Sequence, residues 1–311
     1  MCGAGILARE RRSRCGIVLR VSKNAINTLQ EQRPSDVVYH YTSAQGLIGI
    51  IESKSLWASS MQYSNDRTEL RHAVSLIRGL LELHLKMERG PWNDLYGALI
   101  DAVPLFSDFH INVCSFSEEG DLLSQWRGYC PKGIGFSLGF DPEIMERQAK
   151  KQDSRLMKCV YDDCLQRNIC EKIIAEACSA ANHEIDTSAR KNAVVDGFIP
   201  PFLRLAPTLK NISFSEEKEW RVIGGPFAAD DPQVLFRAGT FAVIPYRRFL
   251  LADEGEPLRI ADIVVGPNPE SMLAKNSVEY LLSSPWCKYG SDQGMPSGMP
   301  KMQRYESAFR R

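Results

Sequence analysis

The sequence predicts a single α+β domain with a helical segment inserted between its middle and later strands. Three observations carry this prediction: short alternating strand patterns separated by helical ones, a helical region that follows Tyr161, and a chain without a long linker or internal repeat from Val37 onward. The 311 residues are 44% hydrophobic and 24% charged, as in soluble globular proteins. No apolar run approaches the roughly 20 residues of a membrane-spanning helix.

The first half of the chain alternates predicted strands and helices. A Thr-x-x-Gln pattern at 42–45 and an Asp-x-x-Glu pattern at 66–69 are capping boxes, and each predicts the start of a helix. Gly90-Pro91 is predicted to end the second helix. Strands are predicted at Val37–His40, Leu56–Ser59, His110–Phe116 and Ile134–Phe140.

The second half begins with the helical region, which is expected to continue from Tyr161 through Pro200-Pro201. Strands are predicted at Glu219–Ile223, Phe241–Ile244 and Ile263–Val265, and a last helix at Pro269–Leu282. The stretch after Pro285 is predicted to be a loop, followed by a tail too short to fold alone. We therefore predict a flexible extension at 1–36, a domain at 37–285 with a helical insertion at about 161–209, and a C-terminal loop and tail at 286–311.

Charge and cysteine usage restrict the function. The chain has 38 Lys+Arg and 38 Asp+Glu, which argues against a protein that holds nucleic acid by bulk charge, although a local basic groove remains open. The nine cysteines form no Cys-x-x-Cys pair and fit no zinc-site spacing, so we predict free thiols, no metal and a cytoplasmic location. The basic segment before Asp36 is either a frayed extension or an arm that touches nucleic acid or a partner.

Glu217 and Glu219 are the first candidate functional residues. On a strand, alternation places both carboxylates and Arg221 on one face. Two carboxylates on one face often mark a site that needs one ionised and one protonated group. The alternative is a solvated edge strand with its charges outward.

Two further groups lie where predicted strands end. His40, Tyr41 and Thr42 occupy a strand-to-helix junction, where backbone amides favour anionic groups and a histidine can donate to a ribose hydroxyl or phosphate; the alternative is a structural histidine. Ser115 and Ser117 share one strand face, where their hydroxyls position a ligand or cap a turn.

Trp126 and Arg127 are predicted to lie in a loop. There they either stack on a base or nicotinamide ring and bind phosphate, or Trp126 fills the core beneath the loop. The sequence has no Gly-x-Gly-x-x-Gly, no phosphate-binding loop, no Gly-x-Ser-x-Gly and no His-Glu-x-x-His. Their absence argues against the common dehydrogenases, NTPases, hydrolases and zinc proteases.

Taken in order, the motifs between Val37 and Leu282 resemble prokaryotic domain-of-unknown-function family 2971. The motifs are His40-Tyr-Thr, Asn65-Asp66-x-x-Glu69, Cys114-Ser-Phe-Ser117, Trp126, Gly135-Phe-x-x-Gly-Phe-Asp141, Glu217-Lys-Glu-Trp-Arg221 and Val265-Gly-Pro267. That family is distantly similar to ADP-ribosyltransferases, whose split, mostly antiparallel sheet holds NAD in a cleft.

The resemblance implies roles for the candidate residues. His40 would orient a ribose of NAD, and Ser115-Phe116-Ser117 is similar to the Ser-x-Ser motif of one transferase branch. Glu217-x-Glu219 is similar to that branch's Glu-x-Glu, so Glu219 would bind the nicotinamide ribose 2′-hydroxyl and stabilise the oxocarbenium cation. Glu217 would deprotonate or orient the acceptor.

A stacking residue for the nicotinamide is also implied, with Tyr63, Trp57 and Tyr129 as candidates. The function that follows is an NAD-dependent ADP-ribosyltransferase acting on nucleic acid or protein, in the role of a toxin or phage-defence effector. The alternatives are a non-enzymatic sensor of NAD, ADP-ribose or another nucleotide, and an RNA-binding protein that uses its basic arm with Trp126 and Arg127.

Overall fold

The computed structural model describes residues 31–63, 68–87, 90–130, 134–181, 186–228, 230–239, 242–284 and 300–304. The strands are β1 Val38–Thr42, β2 Ser55–Ser60, β3 Phe109–Ser117, β4 Phe136–Phe140, β5 Ser154–Lys158, β6 Glu219–Ala228, β7 Leu235–Ala238, β8 Val243–Leu250, β9 Asp262–Val265 and β10 Lys301–Arg304. The helices are α1 Ala44–Ser53, α2 Thr68–Met87, α3 Pro91–Ala102, α4 Leu123–Tyr129, α5 Pro142–Lys151, α6 Asp163–Ala181, α7 Thr187–Leu205 and α8 Ser271–Ser283.

The strands form one open, mostly antiparallel sheet. Along the main path the order is β10-β9-β4-β1-β3-β2-β8-β7, while β6 pairs with both β3 and β5. Only β10 and β9 run parallel among the described strands. The chain is therefore a mixed α and β protein, as the sequence predicted.

The central strand β3 has a gap in its pairing along one edge. β6 pairs with β3 from Phe109 to Ser117, so β1 and β2 must share the opposite edge. There β1 pairs only at Ser117 and β2 only at Asn112 and Val113. Between these contacts β1 and β2 diverge, and no strand of the described chain pairs with that edge of β3.

The two faces of the sheet are covered by different helices. On one face Ile111, Met157 and Ile223 pack with α2, α3, α6 and α7. On the other face Phe116 and Trp220 pack with α1, α5 and α8. Because side chains alternate along a strand, these cores fix which residues of β3 and β6 share a face.

Most predicted elements are confirmed, with shifts of a few residues at their ends. The helical region after Tyr161 contains α6 and α7, and the strands at 219–223 and 263–265 belong to β6 and β9. Two predictions were wrong. The predicted loop around Trp126 is the helix α4, and part of the tail after Pro285 forms β10.

The cap of α1 also differs from the prediction. Ser43 rather than Thr42 is the N-cap, and its Oγ accepts a hydrogen bond from the Gly46 amide. The preceding helix α2 ends at Met87, before the predicted stop at Gly90-Pro91, and Gly90 is in addition the N-cap of α3. Within the described ranges, no helix combines the length and hydropathy needed to cross a bilayer.

Several predictions fall on residues that the structure does not describe. These are most of the basic extension (1–30), Asn65 of the family motif, Asp66 of the capping box, Phe241 and the segment 285–299. The predicted domain boundaries stay predictions.

Candidate functional site

Four charged side chains meet where β6 begins: Lys210, Glu217, Glu219 and Arg221. We call this set the charged cluster. A 3₁₀ turn over Ile212–Glu217 leads into Lys218, whose φ of 43° lies in the left-handed region, and β6 then starts at Glu219. This turn places Glu217 and Glu219 against the same lysine.

Glu219 is at the centre of the cluster and is fully paired. Its side chain is 3% exposed. The Arg221 guanidinium donates from Nε to Oε1 at 2.7 Å and from Nη2 to Oε2 at 2.9 Å, a two-point contact that fixes the carboxylate plane. Arg221 also donates from Nη1 to the Pro207 carbonyl at 2.6 Å. The alternative of a solvated edge strand is therefore wrong, because β6 lies between β3 and β5 with these groups inside.

Lys210 joins the two glutamates. Its Nζ donates to Glu217 Oε2 and Glu219 Oε2, each at 2.5 Å, and its side chain is 2% exposed. The backbone around it is held by Gln166, whose Nε2 donates to the carbonyls of Val160 and Lys210 at 2.6 and 2.7 Å. Sequence reasoning missed Lys210, because it lies in a loop without strand or helix periodicity and only tertiary packing brings it to β6.

The cluster balances two positive and two negative side chains. Burial alone would raise the pKa of Glu219, but Arg221 and Lys210 outweigh it and lower that pKa to about 2. Glu219 is therefore ionised at neutral pH. Glu217 is the more accessible carboxylate, with 14% of its side chain exposed.

Two tyrosines border the charged cluster. The Tyr161 hydroxyl accepts a hydrogen bond from the Glu219 amide at 3.0 Å. Tyr129, at the end of α4, has its pKa raised by burial and by the negative charge of Glu219. Tyr129 is also 40% exposed, so part of this residue lies at the surface near the cluster. Tyr129 was a candidate for stacking on nicotinamide, and it is the candidate that the structure brings to the cluster.

The two serines lie on the same side of the sheet as Glu219. Ser117 is buried, donates from Oγ to the Glu217 carbonyl at 2.8 Å and accepts from the Glu119 amide at 3.1 Å. It therefore holds the turn that carries Glu217, as expected for the turn-capping alternative. Ser115 is half-buried and lies opposite Arg221 in the β3–β6 ladder.

His40 contacts this region from the other side. Its ring lies 5.7 Å from that of Phe116, in the core opposite the charged cluster, but its Nδ1 bonds the Ser115 carbonyl at 3.0 Å. That carbonyl lies in the gap of β3, so His40 links β1 and β3 where strand pairing is missing. Burial lowers the pKa of His40 more than the backbone contact raises it. The ring is thus neutral with its proton on Nδ1, since a carbonyl can only accept, and Nε2 is an acceptor rather than the expected donor.

Tyr41 and Trp126 are core residues rather than ligand-facing ones. Trp126 is fully buried, and its ring meets that of Tyr41 edge-on at 4.6 Å. Trp126 Nε1 donates to Asp121 Oδ1, and the Tyr41 hydroxyl donates to the Glu119 carbonyl. The interpretation of Trp126 as a stacking platform is corrected, because no part of its ring is exposed to a ligand.

The remaining candidates are spread over the surface. Arg127 is exposed on α4, and the Thr42 carbonyl accepts from the Cys130 thiol at 3.5 Å. Tyr63 lines a separate cavity of about 520 Å³ beside α2, together with Leu70 and Phe106. The structure thus brings together Ser115, Ser117, Glu217 and Glu219, adds His40 through a backbone contact, and leaves Tyr63 apart.

No metal site accompanies the cluster. Across the described ranges, no group of three or more His, Cys, Asp and Glu side chains is arranged to hold a metal ion.

Comparison with protein families gives one match. Residues 125–222 match the family described as "Protein of unknown function (DUF2971)". This segment runs from α4 into β6 and contains all four charged residues of the cluster, as well as Trp126 and Tyr129. Neither the curated proteins nor the solved structures contain a match. The resemblance to domain-of-unknown-function family 2971, predicted from the ordered motifs, is confirmed over residues 125–222 by this match.

Proposed function

We propose that the chain is an NAD-dependent ADP-ribosyltransferase whose reaction centre is the charged cluster at the start of β6. One observation carries the proposal. Ser117 lies opposite Tyr39 of β1 on one edge of β3 and opposite Glu219 of β6 on the other. The three motifs implied by the resemblance therefore occupy three adjacent strands, beside the gap in the sheet.

The chemistry requires a fixed negative charge and a proton acceptor. In the transfer, the bond between nicotinamide and ribose C1′ breaks, and nicotinamide leaves with the electron pair. The cation left on the ribose is stabilised by a carboxylate, and the lone pair of an acceptor nucleophile forms the new bond. Glu219 suits the first role because its low pKa keeps it ionised. Glu217 suits the second because it is partly exposed and takes the acceptor's proton.

Arg221 and Lys210 allow Glu219 to bind a substrate hydroxyl without losing all of its ion pairs. Lys210 occupies one oxygen of each glutamate, while Arg221 contacts both oxygens of Glu219. A ribose hydroxyl that displaces Lys210 from Glu219 would leave the buried carboxylate still paired with Arg221. Lys210 would remain bound to Glu217. The exchange therefore avoids the large cost of an unpaired buried charge.

His40 contributes as a positioning residue in this proposal. It holds β1 against β3 through the Ser115 carbonyl, which fixes the width of the gap beside the cluster.

The test is nicotinamide release from NAD by the purified protein. Wild type is expected to release nicotinamide, and Glu219→Gln is expected to lower the rate by at least about a hundredfold. Glu119→Gln is the matched control, because Glu119 is an exposed carboxylate bonded to Lys218 in the adjacent turn. Circular dichroism establishes that each variant is folded. Equal release by wild type and Glu219→Gln would refute the proposed role of Glu219.

A second candidate is a nucleotide-binding protein without turnover. This candidate is favoured because Glu219 is fully paired with Arg221 and Lys210. Paired in this way, the Glu219 carboxylate is stable in the site and is not free to act as a base. Calorimetric binding of NAD or ADP-ribose in the absence of nicotinamide release would support this candidate. Release by wild type would exclude it.

A further inference from the structure

A second patch of aromatic and basic side chains lies on β2, β7 and β8, on the same face of the sheet as the charged cluster. Trp57 is 52% exposed, and its ring centroid lies 4.9 Å from that of Tyr246 and 5.9 Å from the Arg237 guanidinium carbon. Arg237 donates from Nη2 to Ser59 Oγ at 3.1 Å. We call these four residues the Trp57 patch.

Strand register places the Trp57 patch on one face of the sheet. Ser59 pairs with Tyr246, and Trp57 pairs with Arg248, so these side chains project to the same side. Arg248 is exposed and adds a second positive charge next to the indole. The patch together with Arg248 thus combines an exposed aromatic surface with two guanidinium groups.

Arg237 is unusual because its charge is not compensated. Its Nε is buried without a hydrogen-bond partner, and none of the described carboxylates forms an ion pair with it. Burial lowers the pKa of Arg237, and Tyr246 is the group that opposes this effect. A guanidinium that is partly buried and lacks some of its hydrogen bonds lowers the stability of the folded state. An oxyanion would supply the missing hydrogen-bond acceptors and a compensating charge.

We propose that the Trp57 patch binds one nucleotide unit, with the base stacked on the Trp57 indole and the phosphate bound by Arg237. Aromatic side chains stack on any base through its π-face, and arginine matches the geometry of phosphate oxygens. Arg248 supplies further positive charge beside the stacked base. The unit comes either from a free nucleotide or from a single-stranded nucleic acid, since both carry the same two groups.

This site shares no side chain with the charged cluster, although the two face the same side of the sheet. It lies on β2, β7 and β8, whereas the charged cluster lies at the start of β6. Glu219→Gln should therefore leave nucleotide binding at the patch unchanged. That variant separates a failure of this proposal from a failure of the proposed enzyme activity.

The experiment compares AMP, measured by calorimetry, with a short labelled oligoadenylate, measured by fluorescence anisotropy. Trp57→Leu and Arg237→Gln are each expected to raise the Kd about tenfold or more, while Trp57→Phe changes it only a few-fold because a ring remains. Arg237→Gln should also reduce the salt dependence of oligoadenylate binding by about one phosphate contact. Arg259→Gln, an exposed arginine in the loop between β8 and β9, is the charge-matched control.

The outcomes show whether the bound unit comes from a free nucleotide or from a single-stranded nucleic acid. Binding of AMP supports a free nucleotide, and binding of oligoadenylate alone supports a single strand. The proposal is overturned if neither probe binds. It is also overturned if Trp57→Leu and Arg237→Gln bind as wild type does, or if Arg259→Gln weakens binding to the same extent.

Discussion

Replacing Glu219 with Gln is expected to lower the free energy of unfolding by about 3 kcal/mol at neutral pH. The carboxylate is buried and bound by Arg221 and Lys210, which lower its pKa from 4.5 to about 2. Each pKa unit corresponds to about 1.4 kcal/mol of differential stabilisation. The magnitude agrees with the roughly 3–5 kcal/mol that breaking a buried ion pair typically costs.

The pH dependence follows from the direction of this shift. The folded pKa lies below the unfolded one, so the native state favours the ionised carboxylate. Its contribution is fully present above the unfolded pKa and is lost as the pH falls through the folded pKa. The stability difference between wild type and Glu219→Gln should therefore be constant down to a pH of about 5 and shrink between pH 4.5 and about 2.

Urea unfolding over a pH series measures both the size and the pH dependence. The control is Glu119→Gln, because Glu119 forms an exposed ion pair with Lys218. That change is expected to cost less than about 1 kcal/mol. A difference for Glu219→Gln below about 1 kcal/mol at neutral pH would refute the reasoning, as would a difference that is undiminished at the lowest pH.

Five further substitutions test the fold around the site by chemical denaturation. Ser43→Ala should destabilise the protein by about 1 kcal/mol, because Ser43 caps α1. Thr42→Ala should destabilise it by less. The reverse order would contradict the assignment of Ser43 as the cap. Gly135→Ala should be clearly destabilising, since its new Cβ would lie 2.4 Å from the Thr42 carbonyl oxygen. Gly49 lies on α1 and faces open space, so Gly49→Ala should be stabilising by up to about 1 kcal/mol. Trp126→Ala should cost about 3–5 kcal/mol because the ring is fully buried, and a loss below 1 kcal/mol would show that the ring does not pack as described.

The strands that sequence reasoning identified are those with a clear apolar period. β4 carries Phe136, Leu138 and Phe140 on one face, and all three are buried in the predicted way. β5 and β10 were missed because Ser154–Lys158 and Lys301–Arg304 are short and rich in polar residues. Each forms a strand because a neighbour, β6 or β9, offers a free edge, and this information is not local to the sequence.

The charged cluster could be predicted only in part. Alternation correctly places Glu219 and Arg221 on one face, because that relation lies within a single strand. Lys210 reaches the Glu219 carboxylate from the loop after α7, and Tyr161 reaches the Glu219 amide from the segment before α6. No periodic signal links either residue to β6. For His40, the predicted strand position was right but the predicted direction of the side chain was wrong. Its position beside β3 is as expected, but alternation along β1 turns its ring toward the other core.

The proposed function predicts that the charged cluster serves chemistry rather than stability. Buried ion pairs are often no more stabilising than apolar side chains of similar volume. A Lys210→Met, Glu219→Leu, Arg221→Leu variant is therefore expected to be as stable as Glu219→Gln or more so, and to release no nicotinamide. If that triple variant were far less stable than Glu219→Gln, the cluster would act mainly as a structural element. Retained stability with lost turnover would instead show that these charges, held on β6 and on the segment before it, serve the reaction.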